Sequence, residues 1–297
     1  MMSTDTPVFI YHGHSDNVFA VAWSPDGTSN ASGSRDKTAR IWNTHTGEDS
    51  CIYRGHLSFL LSVAWSPDGK YIASGDTNGI IQVWEARTGR SIVTYQGHIR
   101  FVRSVCWSPD SLHIASGGDF GDSTVQVWAA FSGNLAYTHK QQYRIFGIAW
   151  SPDGKRIASG SFDGSVQSWD AFTGSNVMHY RDHFSPIYTT AWSPNSAYIA
   201  SGGEDTTIQV WEATTGKSVC IYKGHTSAVK ALDWSPDSRY LASGGDDKSL
   251  QVWEATSGKI FTTYKGHTTW IRTVAWSPCG QYISSASNET VHVWQPF

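Results

Sequence analysis

The sequence lacks several features that point to particular classes of protein. It has no long apolar run, so it predicts no transmembrane helix, and its first residues lack the charged and apolar segments of a secretory signal. Its 22 Lys and Arg and 25 Asp and Glu give a net charge of −3, which supplies no general attraction to nucleic acid or anionic membranes. The four cysteines lie far apart without a CxxC pair, which disfavours a disulfide framework and favours a reducing compartment. We therefore expect a soluble, globular, cytoplasmic protein.

Motifs of known catalytic and metal sites are missing as well. There is no HExxH or GxSxG motif, and Gly216-Lys217-Ser218 lacks the upstream glycine of a phosphate-binding loop. His12 and His14 lie two residues apart, without a cluster of cysteines or carboxylates to complete a metal site. We expect no catalytic residues, no bound metal and no cofactor.

What the sequence does contain is one unit repeated seven times, most clearly from Gly224 to Trp253. A second tryptophan lies earlier in each unit, and nine residues before it six units have a histidine, whereas the fourth has Gln141. A repeat of this length is typical of a repeat architecture, and we interpret the chain in those terms. The closing tryptophans, 41 to 44 residues apart, are Trp42, Trp84, Trp128, Trp169, Trp211, Trp253 and Trp294.

Each unit reads as short β-strands separated by turns. In the first unit we predict strands at Val18–Trp23, Asn30–Ser34 and Thr38–Trp42, with a fourth around Ser50–Tyr53. The sequence Ser-Pro-Asp-Gly between the first two is a tight turn, because proline presets φ at its second position. No segment repeats apolar residues with the period of a helix, so we predict an all-β protein with essentially no helix.

These units resemble the WD-repeat (WD40) family of β-propellers. The resemblance rests on the Gly-His opening, the SPDG turn, the ASG run and an aspartate six residues before the closing tryptophan. The Trp-Asp pair that names the family occurs only at Trp169-Asp170. The resemblance implies a seven-bladed propeller of four-stranded antiparallel blades, as a single domain over residues 1–297. The close similarity of the units also resembles bacterial WD40 proteins, some of which are fused to signalling kinases.

Closure of the propeller ring suggests a role for the residues at the start of the chain. The last unit ends after its third strand, while Val8–Tyr11 matches the fourth strands of other units, such as Cys220–Tyr222. We predict that Val8–Tyr11 pairs into the last blade and leaves no open sheet edge.

The resemblance also implies a hydrogen-bonded network of His, Ser, Asp and Trp in each blade. Tryptophan only donates and aspartate only accepts, while serine and neutral histidine do both. Because the set repeats around the ring, we interpret it as scaffold and not as a catalytic triad. Asn78 and Asn288 replace the aspartate and Gln141 replaces the histidine, so we expect less rigid blades in those units. The complete sets are His14, Ser32, Asp36, Trp42; His98, Ser116, Asp122, Trp128; His183, Ser201, Asp205, Trp211; and His225, Ser243, Asp247, Trp253.

Positions that vary between units predict a binding face. They lie after each opening histidine and before each turn aspartate, on the rim that the resemblance identifies as the top face. They are rich in aromatic residues and arginine, which are enriched in interface hot spots. Some could instead only fill the channel. The candidate partner-binding residues are Phe19, Arg35, Phe59, Phe101, Arg103, Phe120, Arg144, Phe146, Phe162, Tyr188, Lys230, Trp270 and Arg272.

The function we favour from the sequence is a monomeric, non-catalytic scaffold that binds a protein or peptide on this face. The alternatives are a regulatory or sensor domain of a larger signalling protein, and an enzyme with a site at the central channel. Nucleic acid is disfavoured as a partner by the net charge and by Glu204 and Asp246 on the same rim, and no membrane partner is expected.

Overall fold

The chain is a seven-bladed β-propeller, as the repeats predict. The computed structural model describes residues 6–119 and 121–297, which form 28 β-strands in seven four-stranded antiparallel sheets and no helix. In this part of the chain, no helix is long and apolar enough to cross a membrane.

Each repeat supplies most of one blade, and the first strand of the repeat is the innermost strand of the sheet. The innermost strands are β2 (Val18–Trp23), β6 (Leu60–Trp65), β10 (Val102–Trp107), β14 (Ile145–Trp150), β18 (Ile187–Trp192), β22 (Val229–Trp234) and β26 (Thr273–Trp276). The second strands are β3 (Ser29–Ser34), β7 (Tyr71–Asp76), β11 (His113–Gly118), β15 (Arg156–Ser161), β19 (Tyr198–Gly203), β23 (Tyr240–Gly245) and β27 (Ile283–Ser287).

The remaining strands carry each blade outward. The third strands are β4 (Ala39–Asn43), β8 (Ile81–Glu85), β12 (Thr124–Ala129), β16 (Val166–Asp170), β20 (Ile208–Glu212), β24 (Leu250–Glu254) and β28 (Thr290–Trp294). The outer strands are β5 (Asp49–Tyr53), β9 (Ser91–Tyr95), β13 (Leu135–Lys140), β17 (Met178–Tyr180), β21 (Ser218–Tyr222), β25 (Ile260–Tyr264) and, in the seventh blade, β1 (Phe9–Tyr11).

The first blade shows how local chemistry sets the strand ends. Thr38, predicted as the first residue of the third strand, belongs instead to the preceding turn, because its N–H donates to Asp36 Oδ1 at 2.9 Å and its hydroxyl bonds the same atom. Gly33, of the ASG run, lies where a Cβ would approach Val63 of the next blade to 2.6 Å. Glycine at this position therefore lets neighbouring blades pack closely.

The predicted closure of the ring is present. Strand β1 pairs antiparallel with β28, with Phe9 opposite Val293 and Tyr11 opposite Val291. The Tyr11 ring also stacks on Trp42 of the first blade, with the ring centroids 4.3 Å apart. The closing strand thus joins two blades, by backbone pairing to one and by aromatic stacking on the other.

The core lies between blades. Among the described residues, seven apolar clusters each combine side chains of two adjacent blades, as where Ile41 and Tyr53 of the first blade pack with Leu60 and Trp84 of the second. All seven closing tryptophans are at most 2% exposed. Because each blade buries both faces against its neighbours, stability depends on the ring as a whole.

Candidate functional site

The hydrogen-bonded network of the first blade runs from the core to the top rim. Trp42 Nε1 donates to Ser32 Oγ at 3.2 Å, and His14 contacts Ser32 Oγ through Nε2 and Asp36 Oδ2 through Nδ1, each at 2.8 Å. The same bonds are present in the three other sets identified from the sequence. All four histidines are buried, so each network fixes the loop that follows its histidine.

The expectation of a weak network in the second blade is wrong. His56 contacts Asp76 Oδ2 at 2.9 Å and Ser74 Oγ at 2.7 Å, and Trp84 donates to Ser74 at 3.1 Å. Asn78, the residue thought to weaken it, is exposed in the turn. Because Asp76 is the last residue of β7, its carboxylate reaches the imidazole from the strand instead of the turn.

The seventh blade replaces the carboxylate with a hydroxyl. His267 Nδ1 lies 2.8 Å from Ser287 Oγ and its Nε2 lies 2.7 Å from Ser285 Oγ. The indole N–H of Trp294 has no acceptor among the residues that the structure describes. The network of this blade is therefore shorter and carries no negative charge.

The fourth blade has an amide in place of the imidazole. Gln141 Nε2 donates to Ser159 Oγ, while Gln141 Oε1 and the indole N–H of Trp169 are buried without a partner in the described part of the chain. The lower rigidity expected of the fourth and seventh blades stays a prediction.

Electrostatics favour ionised aspartates in the complete networks. Burial alone would raise the pKa of Asp247, but the hydrogen bond and charge of His225 and the backbone N–H of Ser249 outweigh it and lower that pKa to about 2. The same balance holds the pKa of Asp36 far below its usual value. These serine, histidine and aspartate groups are engaged with one another and with tryptophan, so the serine hydroxyls of these four networks are not free.

A β-bulge at the start of the inner strand builds the top of the channel in six of the seven blades. In the first blade, Val18 is opposite Ser34 and Ala20 is opposite Gly33, so Phe19 has no partner in the ladder. The same shift occurs in the next five blades. A bulge bends the strand and re-aims the extra side chain. The six bulge side chains line the channel together with Arg272, which directly precedes β26 in the seventh blade: Phe19, Leu61, Arg103, Phe146, Tyr188, Lys230 and Arg272.

These seven side chains, with Asp246 and Trp270, line a cavity of about 330 Å³, which we call the channel mouth. Cationic side chains of the mouth make ion pairs with carboxylates and cation–π contacts with aromatic rings. Lys230 Nζ lies 3.5 Å from the centroid of Tyr188 and 3.5 Å from Asp246 Oδ2, and the guanidinium of Arg272 lies 4.9 Å from the ring of Phe19. Cations over aromatic faces are attracted by the ring quadrupole, so the mouth is preorganised.

Arg272 differs from the other cations of the mouth. Arg103 pairs with Asp119 at 2.8 Å and Lys230 pairs with Asp246, but Arg272 makes no ion pair within residues 6–119 and 121–297. Its Nε is buried without an acceptor there. Burial lowers the pKa of Arg272, an effect that Asp246 opposes and Arg35 reinforces. The mouth therefore holds one cation without a counter-charge in contact.

The predicted residues outside the mouth form two smaller groups. Phe59 and Phe101 line a separate hollow of about 480 Å³, and Arg35 lies over the Phe59 ring at 5.0 Å. Arg144 lies over the Phe162 ring at 5.3 Å. Phe120, also predicted to bind a partner, lies outside the described residues.

Sequence reasoning missed a second set of exposed apolar residues. Leu57, Ile99 and Phe184 directly follow an opening histidine and are 85%, 68% and 92% exposed. The signal was present, because the first, sixth and seventh units have Ser15, Thr226 or Thr268 at that position.

Below the mouth, small and neutral residues line the channel. Apart from the residues of the mouth, the lining consists of Ala, Gly, Ser, Thr, Val, Ile and Leu, with no histidine, cysteine or carboxylate among the described residues. In the same part of the chain, no three such groups lie close enough to hold a metal ion. The arrangement offers binding surfaces but no acid–base pair in the channel.

Comparison with known proteins identifies the repeats. A 33-residue segment is 61% identical to THO complex subunit 3 of Arabidopsis thaliana, covering 11% of this chain and 10% of that protein. A 74-residue segment is 32% identical to the peroxisomal targeting signal 2 receptor of Mus musculus, covering 24% of this chain and 23% of that protein. The similarity thus spans less than a quarter of each relative's length. The family described as "WD domain, G-beta repeat" matches residues 5–43, 47–85, 89–129, 133–170, 174–212, 216–254 and 258–295. With seven matches along almost its whole length, the chain belongs to the WD40 family.

Proposed function

We propose that this protein is a scaffold that binds a protein or peptide partner on its top face. The observation that carries the proposal is the channel mouth, where each of the seven blades supplies at least one side chain to a shared cavity. A WD40 propeller fits such a role, and the names of the relatives, a receptor and a complex subunit, are those of partner-binding proteins.

The chemistry of the mouth favours a partner segment with an acidic residue beside an apolar one. Among the described residues Arg272 makes no ion pair, and a partner's carboxylate would pair with its guanidinium. Trp270 is 53% exposed at the edge of the mouth and offers a large apolar surface. Rings and guanidinium groups already fixed by cation–π contacts lose little freedom on binding.

The experiment is affinity capture from native lysate, quantified by mass spectrometry, with three forms of the full chain. The double variant Trp270→Ala, Arg272→Gln removes the apolar surface and the unpaired cation. The control Leu135→Ala removes an equally exposed apolar side chain from an outer strand of the third blade. We expect proteins captured by the wild type to be kept by the control and reduced about tenfold or more with the double variant.

Equal capture by all three forms would contradict the site. Capture that disappears after nuclease treatment would show that the partner is nucleic acid, against the proposal. A cytoplasmic location and a monomeric state stay predictions from the sequence.

A further inference from the structure

The opposite face, which carries the SPDG turns and which we call the bottom face, has an aromatic pattern of its own. At three blade interfaces a tyrosine at the start of the second strand, or directly before it, stacks on the inner-strand tryptophan of the next blade. The ring centroids are 6.2 to 6.5 Å apart and the planes are inclined by 16 to 28°. The pairs are Tyr282 on Trp23, Tyr71 on Trp107 and Tyr198 on Trp234.

The interface between the first and second blades lacks this ring. Ser29 occupies the place of the tyrosine. In the third and fourth blades, Phe131 packs near Trp107 and Phe172 packs near Trp150. The second blade has Arg87 at the position of these phenylalanines. Trp65 is only partly buried, whereas the other six inner-strand tryptophans are 3% to 7% exposed. Its indole N–H has no acceptor in the described part of the chain, a property that it shares with Trp192 of the fifth blade.

The missing ring leaves a hollow of about 530 Å³, which we call the Trp65 pocket. Its walls include Trp65, Ile41, Ala86 and Tyr71, and its rim is polar. The size and the apolar base with a few polar groups are typical of ligand sites.

One cation on the rim is available. Arg87 is exposed and makes no ion pair within residues 6–119 and 121–297. The other charges are engaged, since Glu85 bonds Arg90 and Lys70 lies 3.5 Å from Asp68. The rim therefore favours a ligand that carries a negative charge next to its apolar group.

We propose that the Trp65 pocket binds a tyrosine side chain of a partner protein, with an acidic neighbour of that tyrosine paired to Arg87. The protein itself shows which group fits, because Tyr71, Tyr198 and Tyr282 lie half-buried at the equivalent positions of three other interfaces. A ring stacked on Trp65 would complete the pattern, and aromatic pairs of this kind add stabilisation beyond the area they bury. The pocket lies on the face opposite the channel mouth, so it does not depend on the function proposed above.

The test uses the full chain, labelled with ¹⁵N, and N-acetyltyrosinamide as the probe. The indole N–H signal of Trp65, assigned by its loss in Trp65→Phe, is followed by NMR as the probe is added. We expect this signal to shift in the wild type and in Ser29→Ala, which keeps the pocket open. Ser29→Tyr supplies the missing ring from within, so the shift should disappear. N-acetylalaninamide should cause no shift in any form.

A second variant tests the same recognition without relying on the NMR assignment of Trp65 or on the folding of the Ser29 variants. Tyr198→Ser removes the tyrosine from the interface over Trp234 and should lower the melting temperature. N-acetyltyrosinamide should restore part of that loss, and N-acetylalaninamide should not.

Three results would overturn the proposal. The first is an equal shift in Ser29→Tyr and wild type, and the second is no shift of the Trp65 signal at saturating probe. The third is a shift with p-cresol but none with N-acetyltyrosinamide, because a pocket closed to the peptide backbone would serve a free aromatic molecule and not a partner's side chain.

Discussion

Each complete blade network fixes the direction of its hydrogen bonds. An aspartate only accepts, so the histidine Nδ1 next to it must carry a proton, and in the neutral form of the imidazole Nε2 accepts from the serine hydroxyl. The serine oxygen in turn accepts from the indole N–H, as Ser32 does from Trp42 at 3.2 Å. The carboxylate therefore determines the tautomer of the histidine and the orientation of every group behind it.

Asp76 supplies this carboxylate in the second blade. Asp76→Ala should leave the buried His56 without its acceptor and lower the free energy of unfolding by about 1–3 kcal/mol. Asn78→Ala changes the residue that occupies the usual aspartate position, and because Asn78 is exposed, the change should stay within about 0.5 kcal/mol. Urea unfolding followed by tryptophan fluorescence measures both. Equal losses of unfolding free energy in the two variants would show that the His56–Asp76 contact contributes nothing to stability.

Sequence comparison found the residue types of the networks but not every position. It assumed that the aspartate always lies in the turn, whereas Asp76 and Ser287 show that the last residue of the second strand can take over the contact with histidine. This substitution depends on a side chain reaching the same point from a different backbone position. Such geometry is not visible from residue spacing alone, although the polar residue at the strand end was a usable signal.

At the scale of elements, the closing strand β1 was predictable and the bulges were not. The missing fourth strand of the last repeat could be counted, and a strand-like segment at the other end of the chain matched it. The bulge at Phe19 leaves no mark on the alternation of apolar residues, because Val18–Trp23 is apolar throughout. The sequence therefore indicated which residues vary, whereas the bulges explain why six of them meet, with Arg272 of the seventh blade, at one cavity.

Deletion of residues 1–11 tests the closing strand. The deletion exposes the edge of β28 and removes the stacking of Tyr11 on Trp42, so the melting temperature should fall by about 5 °C or more and aggregation should increase. Tyr11→Phe is the matched control, since it keeps the strand and the ring but removes the hydroxyl that donates to Asp49. Its effect should be much smaller, and differential scanning calorimetry compares the two. An unchanged melting temperature after the deletion would rule out a closing role for β1.

Across the whole molecule, the positions that are alike in every repeat hold the fold together, and the positions that differ line the candidate binding sites. The networks and interblade clusters use nearly the same residues in every unit, which holds the ring together. The places where single units depart from the others, such as Trp270 on the top face and Ser29 on the bottom face, are the places where cavities are lined or opened. A scaffold of near-identical blades thus gains individual sites through a few side chains at its two rims.

We expect the seam at which the ring closes to be sensitive to acid. Burial, and next the charge of His12, lowers the pKa of His292 to about 4, and burial together with His292 lowers the pKa of His267 to about 3. Below the ordinary histidine pKa of about 6.5 the unfolded chain binds protons that the folded seam excludes, so folding is progressively disfavoured as the pH falls from about 6.5 to 4. Asp233 contributes in the opposite sense. Burial raises its pKa to about 6, so as the pH falls the folded protein binds this proton before the unfolded chain does, and folding is favoured.

His292→Gln tests the seam. Glutamine stands at the equivalent position of five other blades, where Gln126, for example, accepts the hydroxyl of Tyr95 at 2.6 Å, so it should also accept from Tyr264. We expect similar unfolding free energies for variant and wild type at pH 7.5, and a variant more stable by about 1–2 kcal/mol at pH 4.5, measured by urea unfolding at both values. His179→Gln removes an exposed histidine from an outer strand and should give no such gain. If wild type and His292→Gln lose stability in parallel between the two pH values, His292 is not the group that makes the closed ring sensitive to acid.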